Sequence, residues 1–287
     1  MTTKNLQNLE LKKFDRTPHL QGSRLQDGDE GYAQVPYSAL AGKYLVAEEK
    51  LDGGQAGASF SAGAELLLQS RGHYLAGGGR ERQFNLFKRW ASAHEDALLS
   101  CLEDRYVAYG EWMHKKHSVF YDALPHYWNE FDIWDRSREA FLDTQSRRLI
   151  LAGAPVLQVP VLFAGIAPKK QSDLLALIVN SHAKTAAWRT RFEQIVEREG
   201  FDVAKAWSHA DKSDLMEGLY IKTEENGVVT GRYKFVRHDF VQAIIDSNVH
   251  HSEQPFIPNQ LADGVDIFSP VLTRTWTDCG VFTRTAL

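Results

Sequence analysis

From Lys43 onward, short apolar runs are separated by glycine and polar breaks. The stretches "KYLVAEEK" (43–50), "AGASFS" (56–61) and "ELLLQS" (65–70) have strand length and turn-forming neighbours, which predicts three strands. The period then changes. In "FNLFKRWASAHEDALLSCL" (84–102), Phe84, Phe87, Ala91, Leu98 and Leu102 fall near one helical face. Strand patterns return in "RYVAYGEW" (105–112) and "YWNEFDIWD" (127–135). Ser137 is placed to cap a helix over 138–153 that ends near Gly153. "VLQVPVLFAG" (156–165) reads as extended, Ser172 is placed to cap the next helix, and "TAAWRTRFEQIVEREG" (185–200) predicts another. "EGLYIKT" (217–223) and "GRYKFVR" (231–237) flank "EENGVV", where Asn226-Gly227 is a hairpin signal. A further helix is expected at "HDFVQAIID" (238–246). Residues 1–43 are polar and turn-rich, and 250–287 are irregular.

Strands interrupted by helices, without regular alternation, predict an α+β fold of mainly antiparallel sheets rather than a doubly wound parallel one. Glycine-rich phosphate loops of the dinucleotide or Walker type are missing. If the chain handles a nucleotide, side chains must hold the phosphates. Its 287 residues, 43% of them apolar, suffice for one large domain or two small ones. The formal charge of −4 does not mark a nucleic-acid binder, although a net charge leaves a local basic groove open. Cys101 and Cys279 match no metal spacing, and Cys101 in "LLSCL" reads as a small buried hydrophobe. The first residues carry no apolar core of signal-peptide length. No run of about 18 apolar residues suggests a membrane span. The expectation is a soluble, cytoplasmic protein.

The stretch "EEKLDGG" (48–54) admits two readings. Either a strand ends in an Asp-Gly turn, or Lys50 is held at a strand end as a nucleophile. Other stretches stand out: "QSRG" with Arg71, "YGEW" with Glu111, "EFDIWD" with Phe131 and Asp132, and "EGLYIK" followed by "RYKFVR", with Glu217, Lys222, Lys234 and Arg237. Singly, each has a plain structural explanation, such as strand lysines facing water. Together and in this order they resemble the covalent nucleotidyltransferase superfamily of nucleic-acid ligases and mRNA capping enzymes. That superfamily carries a KxDG motif, a motif ending in Gly-Glu, an aromatic-centred motif, an EGxxxK motif and a final lysine-bearing strand. They stand here as "KLDG", "YGEW", "FDIWD", "EGLYIK" and "YKFV", spread from Lys50 to Arg237. The longer stretches "RTPHLQGSR", "YGEWMHKKHSVFYDALPHYWNEFDIWD" and "IPNQLADGVDIF" are similar to ATP-dependent RNA ligases.

The resemblance implies a nucleotidyltransferase (ATP-grasp-like ligase) core and a three-step reaction. Lys50 attacks ATP to give a lysyl-adenylate, AMP passes to an RNA 5′-phosphate, and a 3′-hydroxyl displaces AMP. Glu217, Lys222 and Lys234 complete the catalytic set, the lysines as point charges on the phosphates. Glu111 accepts a hydrogen bond from the ribose, Arg71 lies near the ribose or the 5′-phosphate, and Phe131 stacks on adenine. Glu49 contacts the adenine amino group. Glu217 is the metal residue, through water. Asp52 positions the loop or a metal-bound water, with a turn-forming role equally open. The cofactors are ATP and Mg²⁺, with Mn²⁺ as an alternative. The partners are RNA with 5′-phosphate and 3′-hydroxyl ends and an end-healing kinase/phosphatase, with no membrane. A free lysine has a pKa near ~10.4. Lys50 must lose its proton to react, which cations favour and its acidic neighbours oppose. Bound metal is therefore expected to be needed.

The resemblance gives one elaborated domain over 44–246, an arm over 1–43 and a short tail over 247–287 rather than a full oligonucleotide-binding domain. Thr17 and His19 of "TPHL" serve either the site or the docking of the arm. His114, His117 and His126 are expected to be surface or locally hydrogen-bonded residues. The stretch from Lys115 to Tyr127 is the candidate RNA contact, because it lies between two motifs. Arg237 follows Lys234 where several relatives have a second lysine, which leaves open which side chain there reaches phosphate. The alternatives are a DNA ligase or capping guanylyltransferase with the same chemistry, a catalytically silent RNA-binding protein, and a hydrolase outside the superfamily.

Overall fold

The computed structural model describes residues 10–25, 29, 33–240 and 255–285. In chain order it contains β1 (Tyr44–Glu49), β2 (Gly54–Phe60), β3 (Leu66–Ser70), α1 (Asn85–Ala93), α2 (Glu95–Leu102), β4 (Tyr106–Trp112), β5 (Trp128–Asp135) and β6 (Ala140–Phe141). There follow α3 (Thr144–Ile150), β7 (Leu157–Gln158), β8 (Val161–Ile166), α4 (Gln171–Leu175), α5 (Trp188–Arg198), α6 (Val203–Ser208), β9 (Gly218–Glu225), β10 (Val228–Val236) and β11 (Arg284–Thr285).

Two sheets carry the fold. One has the order β10-β9-β1-β8-β11, the other β3-β2-β4-β5-β6, with β7 beside β5. Pairing is antiparallel except for β11 with β8 and β7 with β5. This is the α+β, mainly antiparallel architecture that the sequence predicts. Strand β1 is central, so Leu45, Val46 and Ala47 are buried and only Tyr44 at its start is exposed. The sheets meet where the Tyr220 hydroxyl of β9 donates to Asp132 of β5 at 2.5 Å. Behind β4 and β5, Phe87 and Trp90 of α1 pack on Trp128 at ring-centroid distances of 5.4 and 5.1 Å. A second apolar cluster joins Trp188, Phe192 and Val196 of α5 to Phe120 and Ile257.

Several expected elements are redrawn. The helix over 84–102 breaks at His94, whose φ of −113° is not helical. The helix over 138–153 shrinks to α3, capped by Asp143, which accepts from the Ser146 N–H at 2.8 Å. Ser137 instead donates its N–H and hydroxyl to Asp135 in the turn before β6. Pro160, which has no N–H to offer a ladder, separates β7 from β8. Ser172 lies inside α4, where no side chain caps the start, and α5 begins at Trp188. The hairpin β9–β10 forms as predicted, with Asn226 at φ 54° in the turn. The helix over 238–246 lies outside the described residues after position 240. The described part of the tail is irregular but packed. Asn259 donates to the Met113 carbonyl at 2.6 Å and accepts from the Tyr121 N–H at 2.9 Å, tying the tail to the loop after β4. Among the described residues no helix is long and apolar enough to cross a membrane.

Candidate active site

A cavity of about 800 Å³ opens between the two sheets. Lys50, Glu49, Asp52, Arg71, Glu111, Phe131, Glu217 and Lys234 all line it. Residues far apart in sequence therefore converge on one space of ligand size.

The "EEKLDGG" stretch is both a strand end and a site. The Lys50 N–H donates to the Gly218 carbonyl at 3.0 Å, continuing the β1–β9 pairing one residue past the strand. Its ammonium donates to Glu217 at 2.7 Å. Next to Glu217, a Cβ on Gly218 would come within 1.8 Å of the Phe235 carbonyl oxygen, so only glycine lets β10 approach there. After the lysine, Gly53 donates its N–H to Glu111 at 3.0 Å, and a Cβ on it would meet the Trp112 carbonyl oxygen at 2.7 Å. Asp52 uses one carboxylate oxygen to accept from the N–H groups of Ser118 and Val119, at 2.6 and 2.7 Å. Of the roles open to Asp52, loop positioning is the one visible in these contacts.

Charge is unevenly distributed. Burial pulls the Lys50 pKa down, but Glu217, Glu111 and Asp52 together outweigh it and hold the amine above its ordinary value. Burial pushes the Glu111 carboxyl up to about 8 against the pull of Lys50. Burial also raises Glu217. Lys234 moves the other way: burial and repulsion from Lys50 lower it, against the opposing attraction of Asp29. Glu49 is buried and committed, accepting from the Ser181 hydroxyl at 2.6 Å. Arg71 is exposed at the cavity rim.

Lys222 is placed elsewhere. It is absent from the cavity wall, and its side chain is 0% exposed, against 26% for Lys50. Its ammonium donates to the Phe131 carbonyl at 2.8 Å and lies 2.9 Å from Glu48 and 3.5 Å from Asp132. The buried Arg147 guanidinium lies 3.3 Å from Glu48 and 3.0 Å from Glu130. Arg232 reaches within 3.7 Å of Asp132 from the edge of this cluster. The expectation that Lys222 faces the phosphates gives way, in this structure, to a sealed ion network behind Phe131. Arg237 points away from the cavity too, pairing with Asp211 and donating to the Met216 carbonyl.

Other expectations fare unevenly. Lys115 and Lys116 are buried, and the Lys116 ammonium donates to the His117 and His209 carbonyls. The start of the 115–127 stretch is thus turned inward. Burial lowers both His114 and His126 to about 4, so these are neutral packed rings, while His117 lies on the cavity wall. Sequence reasoning missed Phe14, Asp15 and Tyr220, which line the cavity with Thr17. Phe14 meets Phe131 edge-on at 5.3 Å. A lone phenylalanine in a polar arm gave no signal of this.

The motif order on these paired sheets is that of a nucleotidyltransferase-type ligase core. A family model described as RNA ligase matches residues 43–236, and the chain belongs to that family. The fold is similar to that of an apo variant of a Naegleria gruberi RNA ligase, at 15% identity and a TM-score of 0.49, over 79% of this chain and 56% of that one. The Naegleria enzyme with pyrophosphate gives the same figures. A variant of it with ATP and manganese gives 14% and 0.47 over the same shares. The chain spans 56% of the length of these proteins. No curated protein matches the chain.

Proposed function

We propose that the chain is an ATP-dependent RNA ligase that joins 5′-phosphate and 3′-hydroxyl ends through lysyl-AMP and RNA-adenylate intermediates. The observation that carries this reading is the Lys50 amine on the wall of the cavity, 2.7 Å from Glu217. In the first step the Lys50 Nζ lone pair attacks the α-phosphorus of ATP. The bond to the bridging oxygen breaks, pyrophosphate leaves, and the amine gives up its proton. In the second, an oxygen of the RNA 5′-phosphate attacks the same phosphorus, and the phosphorus–nitrogen bond breaks back to the lysine. In the third, the 3′-hydroxyl attacks the activated 5′-phosphate, loses its proton and releases AMP.

The chain's own residues bind and orient. Phe131 offers an aromatic face to adenine, and Glu111 an acceptor to the ribose. Lys234 offers a cation to the phosphates, and Arg71 waits at the rim for ribose or the 5′-phosphate. Glu49 reaches the adenine amino group only through Oε2, which His182 Nδ1 also approaches at 3.4 Å, because Oε1 is taken by Ser181. Among the described residues no three His, Cys, Asp or Glu side chains are grouped to hold a metal. Mg²⁺ calls for one or two carboxylates, with substrate phosphates supplying further ligands. Glu217, buried beside the amine, is the residue suited to hold it. When bound, the ion supplies positive charge that offsets the phosphates and the carboxylates around Lys50.

The test is end joining by the purified chain with Mg²⁺. A labelled strand with a 5′-phosphate is offered beside a 3′-hydroxyl, as RNA or DNA, with ATP or GTP, as a nick or as free ends. RNA joining with ATP is expected. Joining of DNA alone would make the chain a DNA ligase, transfer of GMP from GTP to the chain with no joining would point to a capping-type enzyme, and neither joining nor nucleotide transfer with any pair would overturn the assignment.

A further inference from the structure

The N-terminal arm holds one of the cavity's cations. Residues 18–24 run along β10: the Leu20 N–H donates to the Lys234 carbonyl and the Lys234 N–H to the Pro18 carbonyl, both at 2.9 Å. The backbone at Lys234 is thus pinned by the arm. The side chain is pinned as well, because its ammonium donates to Asp29 Oδ2 at 3.3 Å.

Asp29 is itself held. The same oxygen lies 2.7 Å from His19 Nε2, and the other oxygen lies 3.1 Å from Arg16. The second ring nitrogen of His19 lies 2.7 Å from the Ser23 hydroxyl, which accepts from the Val236 N–H at 2.9 Å. With that oxygen accepting from Val236, its hydrogen is available to His19 Nδ1, which leaves Nε2–H to donate to Asp29. Burial lowers the His19 pKa, in keeping with a neutral ring. The charge of Asp29 is then met by Arg16 and Lys234.

A buried carboxylate beside a space meant for a triphosphate is unfavourable by charge alone. It becomes useful if it fixes a cation that would otherwise sample many rotamers on a flexible stem. We infer that Asp29 is a positioning residue for Lys234, holding the ammonium where ATP phosphates arrive. This inference rests on the phosphate-binding role proposed above for Lys234.

The test measures transfer of labelled AMP from ATP to the full chain in a single turnover, across ATP concentrations. The proteins are the parent, D29N, K234A and the double variant. D29N is expected to lose about tenfold in rate at saturating ATP, the scale of a misplaced reacting group, with its melting temperature kept. The double variant is expected to be no slower than K234A. Losses that multiply, or a D29N protein as fast as the parent, would overturn the inference. If K234A matched the parent, the role of Lys234 would have failed and the inference with it. A slow K234A beside a parent-like D29N would remove only the role of Asp29. D29S is the second variant; if neither D29N nor D29S folded, Asp29 would be a structural residue and the inference would be lost.

Discussion

Two charged clusters lie on either side of the end of one strand. Glu48 enters a cluster with Arg147, Glu130, Asp132 and Lys222 in which all five side chains are 0% exposed. Two residues on, Lys50 meets Glu217 and Glu111 in an open cavity. The sealed cluster matches acids with bases at close range: burial pulls the Arg147 pKa down, but Glu130, Glu48, Asp132 and Glu224 outweigh it and hold the guanidinium firmly charged. The open cluster places one reachable amine among carboxylates that burial pushes toward their neutral forms. The same residue types thus serve two ends. Paired and dry, they fix two sheets together; half-open, they leave a group to be changed by a ligand.

The largest separation of the clusters comes from Lys50→Arg. Its guanidinium stays charged, so adenylation should fall to background in a labelled-ATP assay while the melting temperature holds. Arg147→Met should do the reverse. It leaves buried acids short of a partner, at a cost of about 3–5 kcal/mol, measured by urea unfolding. Lys222→Met decides to which cluster that residue belongs. The sealed pairing predicts a stability loss, with adenylation retained in protein kept folded at low temperature. Full stability with lost adenylation would return Lys222 to the phosphates.

Smaller effects sharpen the open side. The Glu111 carboxyl, pushed up to about 8, is protonated below that pH and accepts no hydrogen bond through its protonated oxygen. Lys50, held above its ordinary value, is charged throughout the neutral range. Lys50 must lose a proton to react, and Glu217, raised to about 7, and Glu111 act more strongly as acceptors once ionised, so single-turnover adenylation should rise with pH through about 7 to 8 and go on rising. Glu111→Gln should remove the component near 8 and leave the rise above it. Phe131→Ala should raise the KM for ATP about tenfold with kcat little changed, as expected for lost base stacking.

The candidate site residues were more legible than the architecture around them. Lys50, Glu111, Phe131 and Glu217 sit in short motifs whose spacing survives as text, and the cavity gathers all four. For Lys222 the motif points to the phosphates and the structure places the side chain in the sealed cluster; alternation along a strand says which face a side chain takes, but not that another sheet covers that face. The helix over 138–153 was overextended because Ser137 and Asp143 are both good caps, and only the pairing of β6 with β5 chooses between them. Phe14 and Asp29 lie in a polar stretch without period, where position is set by contacts made with β5 and β10.

Incubating the chain with ATP and Mg²⁺, weighing it intact and mapping the modified peptide tests the carrier role of the strand-end amine most directly. One AMP on Lys50, removed on adding 5′-phosphorylated RNA, is the outcome required. An adduct at another residue, or none with Mg²⁺ or Mn²⁺ and any nucleoside triphosphate, would contradict it.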